Sequence, residues 1–170
     1  MHSVDDFSLE ISSPPGEDDV LTVSHETFPF AGKFGRRATG TAIGLRGDEI
    51  VAALSFSPDR TDDTCCRIRF LAVRRDRQRE GLATTLVREF TAWALSEGYE
   101  TVRISIDSPF AAVAVARAGF VFTGDTAPRG EVVFRYPGNG ELTLEAALRC
   151  LLERPLSVEQ EHFIRARLEE

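Results

Sequence analysis

The chain has 170 residues, of which 42% are hydrophobic and 28% charged, a balance that suits one globular domain with its own core and excludes a disordered segment. A formal net charge of −7 argues against a protein that coats nucleic acid, and no apolar run approaches the ~20 residues of a membrane span. The first sixteen residues carry Asp5, Asp6 and Glu10 and no apolar stretch, so they do not read as a signal peptide.

The expected setting is therefore the cytoplasm, with no membrane and no nucleic-acid partner. Lys33 is the only lysine, and arginine supplies the rest of the basic charge. Cys65 and Cys66 are neighbours and Cys150 is distant, so the odd count argues against a disulfide framework. His2, His25 and His162 show no zinc-site spacing, and no metal is expected.

In chain order, Phe7-Ser8-Leu9-Glu10-Ile11 alternates as a strand does, and Pro14-Pro15-Gly16 stops it. Residues 28–40 hold Pro29, Gly32, Gly35 and Gly40 and read as an irregular loop. Apolar runs at 41–46 and 50–56 surround Gly47-Asp48-Glu49 and predict a β-hairpin. After a polar loop at 57–64, residues 66–73 predict a third strand with Ile68, Phe70 and Ala72 on one face. An arginine-rich loop then runs to Gly81.

Leu82, Leu86, Phe90 and Ala94 recur every four residues, with Val87 and Trp93 beside them, so an amphipathic helix is predicted up to Gly98. Val102, Ile104 and Ile106 alternate as the next strand. Ser108 is an N-cap with Pro109 at the first helical position, and the short alanine-rich helix ends at Gly119. Strands follow at 120–123 and 131–136, across a turn near Pro128-Arg129-Gly130. Two helical stripes close the chain: Leu144, Ala147, Leu148, Leu151 and Leu152, then Phe163, Ile164 and Leu168 behind a Ser157/Gln160 capping box. This order predicts an α/β or α+β sheet with helices on its faces.

Chemistry concentrates where the third strand hands over to the first helix. A helix N-terminus presents unpaired backbone N–H groups and the positive end of its dipole, which suits phosphate or pyrophosphate. Gly81 and Ala83 let an anion come close. Thr84 and Thr85 offer hydroxyls, and Arg74, Arg75, Arg77 and Arg79 gather positive charge. A tight turn with solvated arginines would use the same residues.

Gln78-x-x-Gly81-x-Ala83, preceded by Leu71-Ala72-Val73, resembles the (Arg/Gln)-x-x-Gly-x-(Gly/Ala) signature of the GNAT superfamily of N-acetyltransferases. The stretch from Ser108-Pro109-Phe110-Ala111 to Ala118-Gly119-Phe120 resembles the family's second motif, and the likeness covers residues 39–136. It implies a mixed, mostly antiparallel sheet splayed at its central strands. With it the chain divides into an acetyltransferase domain at 1–138, irregular over 1–40, and a helical tail at 139–170 outside the resemblance, whose two apolar stripes could pack on the domain or make a homodimer.

By the same resemblance the cosubstrate is acetyl-CoA, and the acyl group passes to an amine of a small molecule or protein by direct attack. The backbone amides of Arg79, Glu80, Gly81, Leu82, Ala83 and Thr84 would bind the CoA pyrophosphate. Leu71 and Val73 would bond the pantetheine arm, and the Val73 N–H would polarise the thioester carbonyl. Gln78 and Ser108 complete the expected cofactor set, Ser108 replacing the family's helix-capping Asn.

Asp107, at the carboxyl end of its strand, is the candidate base, or else a polar strand end. Glu49 reads as a solvated turn residue, and Cys65 and Cys66 as buried thiols rather than nucleophiles. The tyrosine that commonly protonates the departing thiolate falls at Val115, or at Ala116 with a slip of one. Phe28, Phe30 and Phe34 with Lys33, Arg36 and Arg37 could line an acceptor pocket or plug a loop onto the sheet, and His25 could stand near it. A catalytically idle acyl-CoA-binding module is the alternative function, and a domain that binds a protein partner without cofactor is a third.

Overall fold

A computed structural model describes residues 7–12, 21–23, 32–34, 40–78, 80–138 and 142–169. Arg79, His25, Phe28, Phe30, Arg36 and Arg37 lie outside the described residues. The chain divides into two compact units, Met1–Glu100 and Thr101–Glu170.

The first unit holds β1 (Phe7–Ser12), β2 (Leu21–Val23), β3 (Gly32–Phe34), β4 (Gly40–Arg46), β5 (Glu49–Pro58), β6 (Cys65–Val73), a 3-10 turn at Arg75–Arg77 and α1 (Leu82–Ser96). Four strands form an antiparallel sheet in the order β1-β4-β5-β6, and β2 pairs with β3 in a separate ribbon. That ribbon corrects the irregular loop expected at 28–40. Three-residue strands are too short for alternation to show in a sequence.

The β4–β5 hairpin turns through Gly47-Asp48, with Arg46 opposite Glu49. At the far end of the hairpin Gly40 faces Phe56, whose ring lies so close over the glycine that a Cβ there would collide with it. Phe56 in turn meets Phe90 and Trp93 of α1, with ring centroids 4.8 and 5.4 Å away. α1 buries Leu82, Leu86, Val87, Phe90 and Ala94, the stripe its four-residue spacing predicts.

The β5–β6 register corrects the face expected for β6. Ser55 opposes Phe70 but Phe56 opposes Ile68, so Arg69 is an extra residue, a β-bulge. Directly opposed residues share a face. Ile68, Leu71 and Val73 therefore lie on the face of Phe56, Leu54 and Ala52, while Phe70 and Ala72 lie on the other. Phe70 is 48% exposed, and Arg69 Nε donates to Ser57 Oγ at 2.8 Å.

The second unit holds β7 (Thr101–Ile106), α2 (Pro109–Arg117), β8 (Val121–Thr126), β9 (Val132–Tyr136), α3 (Leu144–Leu151) and α4 (Val158–Leu168). β9 pairs antiparallel with both β7 and β8. Thus β7 and β8 run parallel, and α2 supplies the crossover between them. Two of the three helices are capped as the sequence predicts, at Ser108 and Ser157, and Thr143 caps α3 as well. Ser108 Oγ accepts from Phe110 N–H at 3.2 Å, Thr143 Oγ1 accepts from Ala146 N–H at 3.2 Å, and Ser157 with Gln160 completes a capping box.

Ala147, Leu148, Leu151 and Ile164 are fully buried, as α3 packs on β8, β9 and α2 and α4 packs on α2 and α3. Phe110 and Phe163 meet at 4.6 Å. The fold class is mixed α/β, mostly antiparallel, with four helices among the described residues. No helix among the described residues is long and apolar enough to cross a membrane.

Candidate functional site

The site is built around the passage from β6 to α1. Arg74 N–H donates to Val51 O at 2.9 Å, continuing the β5–β6 ladder one residue beyond the strand. Backbone groups alternate in direction along a strand, so the N–H and C=O of Val73 turn away from β5, as do those of Leu71. Gln78 Nε2 donates to Val73 O at 3.4 Å, folding the loop back over the strand end.

Gly81 is the N-cap of α1, with φ 81° and ψ 11°. A Cβ at this position would find nothing within 4 Å, so the left-handed backbone, not space, calls for glycine. No side chain caps the helix. The start of α1 thus has the general form in which helix N-termini meet anions, its first backbone N–H groups running past the helix end. Thr85 is a correction. Its Oγ1 and its N–H both bond Gly81 O at 3.0 Å, so the hydroxyl turns back into the helix rather than toward an anion.

Charge at the loop also differs from expectation. Glu49 is no idle turn residue: its carboxylate reaches Arg74 Nη1 at 3.2 Å and Arg77 Nη2 at 3.0 Å. Glu80 reaches Arg46 at 3.0 Å and Arg77 at 3.9 Å, and Asp76 bonds Arg74 Nε at 2.7 Å. That last bond holds the Asp76 carboxyl below the usual carboxylate range. Three carboxylates thus offset much of the charge that the arginines bring. Arg46 and Glu49 could have been found from the sequence, because a two-residue turn makes its flanking residues cross-strand neighbours.

The other candidates separate. Cys65 and Cys66 are buried, and burial, then the neighbouring Cys65, pushes the Cys66 thiol up to about 12, so Cys66 supplies no thiolate. Asp107 is exposed directly after β7, and Ser108 beside it serves the α2 cap. Val115 is fully buried in the second unit, so a tyrosine in that register would point into the core, whereas Ala116 is half-buried. No group of three or more His, Cys, Asp or Glu that could hold a metal occurs among the described residues.

The sequence profile of the acetyltransferase (GNAT) family matches residues 6–120, reaching further toward the N-terminus than the resemblance at 39–136. Two solved structures share the fold. An acetyltransferase from Thermus thermophilus is 19% identical with a TM-score of 0.50, over 59% of this chain and 65% of that one. An aminoglycoside 6'-acetyltransferase type Ii is 16% identical with a TM-score of 0.50, over 60% of this chain and 70% of that one. Among curated proteins, no sequence matches.

Proposed function

This chain belongs to the acetyltransferase (GNAT) family, and from that premise we propose that it is an N-acetyltransferase, passing the acetyl group of acetyl-CoA to a primary amine of a small molecule or protein. The observation that carries this reading is the uncapped, left-handed start of α1 at Gly81, directly after a strand whose Val73 N–H turns away from β5.

In this reading the amides of Glu80, Gly81, Leu82, Ala83 and Thr84, with Arg79, hold the CoA pyrophosphate, as helix N-termini hold phosphates. Leu71 and Val73 offer their outward backbone groups to the pantetheine arm. The Val73 N–H polarises the thioester carbonyl and steadies the oxyanion that forms on attack. The amine must be neutral to attack, and Asp107 is the proposed acceptor of its proton. The departing sulfur needs no tyrosine, because a thiol with a pKa of ~8.5 leaves tolerably as thiolate. The enzyme would work in the cytoplasm, without metal, membrane or nucleic acid.

Calorimetric titration with acetyl-CoA and with CoA tests the cofactor. The expected result is micromolar affinity, abolished by Gly81→Glu in a folded protein. Unchanged affinity in that variant would overturn the seat. A screen of amines for CoA release then tests the reaction. Val115 in the core gives a second reading, the catalytically idle acyl-CoA-binding module, a definite prediction: tight CoA binding with no release from any amine.

A further inference from the structure

β7 and β9 set two arginines face to face. Arg103 pairs with Arg135 in the strand register, and Val121 of β8 stands opposite Arg135 on the other side. Residues so opposed share a face, with Cα atoms ~4.5–5.5 Å apart. Like charges in that arrangement repel and cost stability.

Among the described residues no carboxylate pairs with either arginine. The rung of Arg103, Arg135 and Val121 has none, nor do the flanking Ser105 and Val133. The Nε of Arg135 is buried without a hydrogen-bond partner, and Arg103 has no ion pair among the described residues. Both side chains are half-buried. The alternate positions Val102, Ile104, Ile106 and Phe134 are buried and apolar, so the two arginines lie on the sheet's other face, beside Ser105, Val121 and Val133. The contrast with Arg46, Arg74 and Arg77 is plain, since each of those is matched by a carboxylate.

A buried donor left unpaired calls for an acceptor. Guanidinium forks fit planar and tetrahedral oxyanions through paired N–H bonds. Two of them on adjacent strands match the size and charge of one dianion. We propose that Arg103 and Arg135 form an oxyanion-binding site that takes the phosphate or carboxylate group of a small molecule. The site lies wholly within the second unit and does not depend on the acyl-transfer reading.

The test is thermal unfolding of the full chain with inorganic phosphate, and separately with malonate, against sodium chloride of equal ionic strength. An anion at ten times its Kd should raise Tm by about 3–5 °C above the chloride control. A response to phosphate alone, to malonate alone or to both supports the site and identifies the source of the oxyanion. Arg103→Gln and Arg135→Gln should each lose the response, yet melt no lower than the parent in chloride, because the repulsion is gone. Arg135→Lys keeps the charge without the fork and should bind roughly tenfold more weakly. The response should persist in Gly81→Glu, which separates it from phosphate bound at α1. An equal effect of chloride, a response that survives in both glutamine variants, or glutamine variants that melt lower in chloride would overturn the proposal.

Discussion

Val115 shows how much one residue's surroundings decide. It aligns with a family tyrosine, so Val115→Tyr looks at first like a way to restore a proton donor. Full burial reverses that expectation. The larger ring must displace core neighbours, at a cost of about 1–3 kcal/mol. Denaturant unfolding should show this loss, and turnover should not rise. Cys66 makes a second prediction at this scale. Its folded pKa, about 12, lies above the ordinary thiol value of 9.0. The unfolded chain therefore loses its proton first as pH rises. The stability contributed by the neutral buried thiol is complete below pH 9 and is lost progressively toward pH 12. A thiol reagent at pH 8 should label Cys150, which is half-buried, well before Cys65 or Cys66, whose labelling should await unfolding. Equal rates in the native protein would contradict the burial of that pair.

Among the elements, those with long periodic patterns were legible in the sequence and those with local exceptions were not. The β4–β5 hairpin, α1, α2 and the two tail helices follow from alternation, four-residue spacing and caps at Ser108 and Ser157. The bulge at Arg69 left no trace, because Ile68, Phe70 and Ala72 alternate perfectly well on paper. Only pairing with β5 shows that the phase slips. The loop was half legible. Its glycine and arginines could be read, and the hairpin turn makes Arg46 and Glu49 cross-strand neighbours, but that Glu49 reaches Arg77 from 28 residues away and Arg46 reaches Glu80 from 34 leaves no mark in local pattern. That network carries a prediction. Glu80 sets a negative charge beside the proposed pyrophosphate seat and is only half-exposed. Glu80→Gln should tighten CoA about two- to fivefold, the scale of one surface charge interaction. Weaker binding would mean that Glu80 matters more for holding Arg46 and Arg77 than for the charge it adds.

For the whole molecule, a net charge of −7 must coexist with a proposed cofactor that is itself strongly anionic. The global field repels what the helix N-terminus attracts, and salt screens both. Acetyl-CoA affinity should therefore fall less than about tenfold between roughly 50 and 500 mM sodium chloride in a calorimetric series. A steeper fall would mean that arginine side chains, not backbone amides, dominate the grip. The arginine-and-carboxylate lattice at the β6–α1 loop has one more consequence. A guanidinium stays protonated at any physiological pH and is no acyl acceptor, whereas an ε-amino group beside an activated thioester would be one. With arginine at 46, 74, 75, 77 and 79 and a single lysine in the whole chain, at position 33, the protein has almost nothing of its own to acetylate. Incubated alone with acetyl-CoA, it should keep its mass, resisting the self-modification to which a lysine-rich counterpart would be exposed.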